Sequence, residues 1–143
     1  MDKDAICRLL PHAGAMCLLD EIVAWDADSI HCRAHSHLAA DNPLRDTRGL
    51  HALAALEYGS QGMAAHGALL GTGGPAPAGY LAGVRDLQLS VARLDQIAHP
   101  LEIRATRLLS DTLSSIYDLQ VQAGEHDVLR ARATVMLQAE TQR

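Results

Sequence analysis

Residues 50–70 read LHALAALEYGSQGMAAHGALL, and this stretch decides the fold. Alanine and leucine, the strongest helix formers, dominate it, so it predicts one long helix. Asp46 or Thr47 is the expected N-cap. Apolar residues fall on nearly every side, which predicts a buried helix rather than a surface one. Gly59, Gly62 and Gly67 weaken a helix by roughly 1 kcal/mol each if exposed. Their small size also lets a sheet approach closely.

Outward from this helix the pattern is that of strands. Residues 16–25 and 30–36 precede it, separated by the turn Asp26-Ala27-Asp28-Ser29. Residues 80–94, 100–109, 113–123 and 128–139 follow it. The last run alternates, with Leu129, Ala131, Ala133, Val135 and Leu137 on one face. A helical turn at residues 6–10 is ended by Pro11. Residues 37–49 read as an ordered loop and residues 71–79, GTGGPAPAG, as a flexible connector. The predicted class is therefore α+β, with a curved antiparallel sheet wrapped around one long central helix. One domain is expected over residues 1–143.

Composition narrows the function. The chain is 48% hydrophobic but only 3% aromatic, with no phenylalanine, so the core is aliphatic. That argues against modules that stack nucleic-acid bases on aromatic rings. A formal charge of −5 argues against general polyanion binding. No apolar run approaches the roughly 20 residues of a membrane span. The mixed-charge start, Met1-Asp2-Lys3-Asp4, is unlike a secretory signal. Cys7, Cys17 and Cys32 fit no CxxC spacing, and are expected to be free thiols in a reducing cytoplasm.

Glu57 and the histidines carry the candidate chemistry. A carboxylate in an alanine- and leucine-lined helix is costly unless paired or protonated. Its alternative is a narrow solvent-facing stripe. His31, Arg33, His35 and His37 alternate, so an extended strand points all four to one side. No Asp, Glu or Cys in the same stretch completes a metal set there, so a solvated face is preferred to a zinc site for His31 and His35. His37 opens the loop HLAADNP that leads to the Glu57 helix. A strand-end histidine against a buried glutamate is an acid/base pair.

Three motifs in order resemble the hotdog-fold 3-hydroxyacyl-(acyl-carrier-protein) dehydratases, over essentially the whole chain. Residues 10–20, LPHAGAMCLLD, resemble the family's LPHRxPxLLxD signature, to which His12 belongs. Residues 37–43, HLAADNP, resemble its HFPGNP loop with one residue inserted and Leu38 in place of phenylalanine. Residues 56–61, LEYGSQ, resemble its EAxAQ helix motif. HxxxDNPLR, the EYxxQ helix and the late run GYLAGVRD look most like the subgroup of aryl polyene biosynthesis. The chain departs from the pattern at Ala13, where the family has arginine. It departs again near His51-Ala52, where the family's helix-start Pro-Gly would fall.

The resemblance implies a hotdog fold and removal of water from a 3-hydroxyacyl thioester. His37 and Glu57 are the implied catalytic pair, each site drawing its two members from different subunits. Gln61, Asn42 and the helix-start residues Gly49, Leu50 and His51 are the implied substrate-binding set. An N–H near that helix start would hold the thioester oxygen. No cofactor and no metal are implied. The implied partners are an acyl carrier protein and a second hotdog subunit, the same or different. Arg45, Arg48 and Arg85 are candidate docking cations, and Gly59, Gly62, Met63 and Ala64 candidate neighbours of an acyl tunnel. The alternatives are a hotdog thioesterase, with Glu57 activating water, and a non-catalytic subunit of a heterodimeric dehydratase.

Overall fold

A computed structural model describes residues 1–10, 16–71 and 79–137. Pro11, His12, Ala13, residues 72–78 of the connector and the chain beyond 137 lie outside the described residues. Helix α1 (Lys3–Leu9) is capped by Asp2, whose side chain accepts from the Ala5 N–H. Strands β1 (Glu21–Trp25) and β2 (Ser29–Ala34) follow, then helix α2 (Ala55–Leu70). Strands β3 (Gly79–Leu89), β4 (Leu101–Ser110), β5 (Ser114–Ala123) and β6 (His126–Leu137) complete the chain. The six strands form one antiparallel sheet in the order β1-β2-β4-β5-β6-β3. The architecture is the expected hotdog fold, a curved open sheet around one long helix.

Period-two alternation explains the inner face. Ile30, Cys32 and Ala34 of β2 point inward, as do Leu101, Ile103 and Ala105 of β4. Tyr117, Leu119, Val121 and Ala123 of β5 and Leu129, Ala131 and Ala133 of β6 extend the same surface. Alanines among these large residues leave a shallow trough, and α2 lies in it. Ala55, Tyr58, Gly59, Gly62, Met63 and Ala65 are its buried contacts. A core built this way needs no phenylalanine. On the outer face His31 and Arg33 both meet Glu102 of the neighbouring strand, at 2.6 and 2.8 Å. Burial opposes ionisation of Glu102, but those two bonds hold it below the ordinary carboxylate range.

Three expectations need correction. Residues 16–20 are not part of β1, because side chains replace the ladder there. Lys3 Nζ donates to the carbonyls of Cys17 and Leu19 at 3.3 and 3.0 Å, and the Leu18 N–H donates to Gln61 Oε1 at 2.8 Å. Neither Asp46 nor Thr47 caps the long helix. His51 does, its Nδ1 accepting from the Leu53 N–H at 3.0 Å ahead of a 3-10 turn at Ala52–Ala54. The cysteines are not all free: Cys7 and Cys17 form a disulfide that ties α1 to the segment before β1. Cys32 alone is free, a core thiol pushed up to about 12 by burial.

The helix and sheet meet most closely at Gly59. A Cβ there would collide with the Leu119 side chain, whereas at Gly62 it would lie 3.4 Å from Ile103 Cγ2 and 3.9 Å from Cys32 Sγ. These contacts make Gly59 and Gly62 helix–sheet packing positions. Gly59→Ala is expected to cost about 1–3 kcal/mol through overpacking, outweighing the gain in helix propensity of about 1 kcal/mol. Gly62→Ala is expected to be neutral or stabilising. Thermal unfolding checks both: the first variant melts several degrees lower and the second does not.

Candidate active site

His37 does not continue the outer face of β2. The strand ends at Ala34, and the His35 N–H turns to Asp20 Oδ2 at 2.8 Å. The 3-10 turn Ser36–Leu38 then rotates the His37 ring inward, where it is fully buried. His31 and His35 stay outside, so the three histidines do not share a face.

Two of the described histidines, His37 and His66, are fully buried, and their hydrogen bonding separates them. His66 of α2 donates from Nε2 to the Asp26 carbonyl at 2.8 Å and accepts at Nδ1 from the Tyr117 hydroxyl at 2.7 Å. Both ring nitrogens are satisfied, as a structural histidine requires. His37 donates from Nε2 to the Ile97 carbonyl at 3.0 Å. A carbonyl only accepts, so the proton sits on Nε2 and Nδ1 carries a bare lone pair. That Nδ1 is buried and has no hydrogen-bond partner among the described residues. Burial lowers the pKa of His37, while the hydrogen bond to Ile97 partly opposes it. The ring is a neutral base at neutral pH.

The loop after His37 is braced from within. Asn42 Nδ2 donates to the Ser36 carbonyl at 2.9 Å and to the Tyr58 hydroxyl at 3.1 Å, while its Oδ1 accepts from the Leu44 N–H at 2.8 Å. Arg45 reaches the carbonyls of Ala39 and His37 at 3.3 and 3.5 Å and lies 3.8 Å from Asp95. It is a loop brace, not a free docking cation. Arg48 and Arg85 are exposed.

The approach to α2 is pinned by Asp95. Its Oδ1 accepts from the Leu50 N–H at 2.9 Å, and Arg93 donates to both its oxygens. Arg93 first and the Leu50 amide second hold this carboxyl well below the usual range. Gly49 stands at φ 102, where a Cβ would collide with Arg93 and Asp95. The Gly49 N–H is bonded to the Asp46 carbonyl and the Ala52 N–H to Ala92. His51 faces Arg93 in an antiparallel bridge flanked by the Ala52→Ala92 and Leu94→Leu50 bonds. That register turns the His51 N–H away from the 92–94 segment. It has no acceptor among the described residues.

Glu57, half-buried in the first turn of α2, accepts from Gln61 Nε2 at 3.3 Å. Gln61 also donates to the Met16 carbonyl at 2.5 Å. Among the described residues no hydrogen bond or ion pair joins His37 to Glu57 within the chain. The side chains of Asn42 and Gln61 and the N–H groups of Gly49 and Leu50 are hydrogen-bonded within the chain, and of the expected substrate-binding set only the His51 N–H lacks an acceptor among the described residues. Ser36, Arg93 and Asp95 carried no motif signal, and Tyr58 lies inside the LEYGSQ motif but drew no role from it. A cleft of about 560 Å³ lies behind the loop, lined by Lys3, Cys17, Asp20, His35, Leu38 and Asp41 among others.

Comparison with known proteins gives three results. A family model described as ApeP-like, ApeP dehydratase, matches residues 4–143. A search of curated protein sequences finds no match. Among solved structures, the dehydratase heterocomplex ApeI:P from Xenorhabdus doucetiae matches with a TM-score of 0.83, at 19% identity over 94% of this chain and 91% of that one. AziG from S. sahachiroi matches with a TM-score of 0.66, at 13% identity over 93% and 100% of the two chains. The thioesterase SAV0944 from Staphylococcus aureus matches at 0.65, with 11% identity over 90% and 99%. At such identities the structural likenesses show the fold.

The two buried histidines predict the acid limb of stability. His37 and His66 both have lowered pKa values in the folded chain, burial being the first cause for each. The unfolded chain therefore takes up protons first, near the ordinary value of about 6.5. Their contribution is complete above that pH and is lost as pH falls toward the folded values. Asp26, Asp95, Glu102 and Asp111, all lowered, act in a separate window below about pH 4.5. The denaturant midpoint should fall between pH 6.5 and 5; a flat midpoint there would contradict the assignment.

Proposed function

The chain belongs to the ApeP-like dehydratase family, and from that premise we propose that it removes water from a 3-hydroxyacyl thioester carried on an acyl carrier protein, giving the trans-2-enoyl thioester. The observation that carries this reading is the bare, buried Nδ1 of His37. His37 Nδ1 takes the α-proton, and the electron pair moves toward the thioester carbonyl. The His51 N–H, which has no acceptor among the described residues, stabilises the resulting oxyanion. The β C–O bond then breaks, and Glu57 delivers a proton to the departing hydroxyl, which leaves as water. Proton exchange with solvent resets the pair. Gln61 holds the Glu57 carboxyl in place, and Asn42, Gly49 and Leu50 fix the loop and helix start. The residues supply every proton the reaction moves.

A two-subunit assembly belongs to the same proposal. His37 and Glu57 each have their own partners within the chain, which supports a site completed across an interface. Strand β3 lies at the sheet edge, with Leu87 and Leu89 exposed. Such an edge is suited to pairing with another strand. The similarity to a dehydratase heterocomplex favours a different hotdog chain as the partner, with a second copy as the alternative. A carrier-bound substrate supports a cytoplasmic reaction, and the subgroup resemblance supports a role in building a polyene chain.

His37→Ala and Glu57→Gln should each lower turnover of a 3-hydroxyacyl-carrier substrate by about 10²–10⁴-fold. Unchanged turnover in both would sink the catalytic assignment, and free acid as the product would indicate thioester hydrolysis instead. Mass measurement of the chain, purified alone and with a second hotdog dehydratase, should give a two-subunit species. A fully active monomer would overturn the shared site.

A further inference from the structure

Tyr58 stands next to Glu57 in sequence, yet its side chain is fully buried on the loop side of α2. Its hydroxyl lies 2.8 Å from Ser36 Oγ and 3.1 Å from Asn42 Nδ2. The proton directions follow from the partners. Ser36 Oγ donates its one hydrogen to the Leu18 carbonyl at 2.7 Å. It therefore accepts from Tyr58, and Tyr58 in turn accepts from Asn42. Leu18 closes the path, because its N–H donates to Gln61, which donates to Glu57. One line of hydrogen bonds thus runs from Asn42 through Tyr58, Ser36, Leu18 and Gln61 to Glu57. Ser36 and Asn42 are the two flanks of the His37 turn.

We propose that the Tyr58 hydroxyl is a positioning residue for the reaction, clamping both flanks of the His37 turn onto the helix that carries Glu57. The clamp holds the His37 ring inward against the Ile97 carbonyl. Through Leu18 and Gln61 it shares one rigid frame with the carboxyl. A phenyl ring would fill the same space without the clamp, so packing and positioning are separable. The catalytic part of the inference rests on the dehydratase reading; the positioning of His37 does not.

Tyr58→Phe tests it. With the hydroxyl gone, the turn loosens and His37 gains solvent, so its titration in the substrate-free protein, followed by NMR of the ring protons, should move up toward the ordinary histidine range. His35 on its own segment, Asp20 before β1, His99 on the facing segment, and Arg45 and Asp95 beside the loop are unchanged in this variant. The kcat should fall on the order of tenfold or more, with KM little changed, and the acid limb of kcat/KM should move to higher pH. An unaltered His37 titration with unaltered kcat would reduce Tyr58 to a packing residue. Should Tyr58→Phe not fold, Ser36→Ala removes the same bond from the loop side and must give the same upward shift. If the unsubstituted chain, alone and paired with a second hotdog dehydratase, turns over no 3-hydroxyacyl thioester, the dehydratase reading fails while the titration still decides the clamp.

Discussion

Leu119 of β5 occupies the space that a side chain at Gly59 would take, and this contact sets how deeply α2 sinks into the sheet. Every functional group on the helix inherits its height from that depth. Tyr58, one residue earlier, reaches the loop beyond β2, and Glu57 is left half-buried. Gln61, one turn further, closes on the backbone of Met16 and Leu18. A larger residue at 59 would lift the helix and break the hydrogen bonds that depend on its height. The aliphatic composition serves the same end, since alanines on both surfaces allow the approach that aromatic side chains would prevent.

Desolvation does the rest. Inside this core a polar group must be paired or pay the full cost of leaving water, and His66 with Tyr117 and Asp26 shows the paired outcome. His37 is the exception, paired at one nitrogen and bare at the other. Burial that would otherwise be a defect keeps the ring neutral and its lone pair available. Asp95 and Arg93 hold the other side of the site by the opposite means, a strongly ionised pair gripping the Leu50 amide. Family membership in a dehydratase group is consistent with a base of this kind.

Much of the fold was legible in the sequence, because alternation and helical periodicity are local signals that burial on one face imposes. The strand order of types, the long helix and the loop leading to it all follow from such patterns. His37 stood out as a candidate base from its place at the head of HLAADNP, but not its inward turn: alternation assigned it to the outer face, and a 3-10 turn reversed that. Glu102 beside His31 belongs to another strand, so no pattern along one strand could supply it. The Cys7–Cys17 pair was missed for a similar reason, since it depends on α1 folding back against the segment before β1. Arg45 looked like a free surface cation because its carbonyl partners carry no sequence signal.

By itself the sequence determined the class of fold and the family motifs, and it proposed the pair His37 and Glu57, each from residues close to it along the chain. Tertiary structure alone decided which histidine keeps a bare nitrogen, which amides at the helix start are already bonded, and which polar side chains brace rather than bind. Those outcomes turn on hydrogen-bond partners brought from distant segments: Ile97 for His37, Asp95 for Leu50 and Ser36 for Tyr58. Periodicity reports which way a side chain faces, whereas chemistry in a dry interior depends on what it meets there.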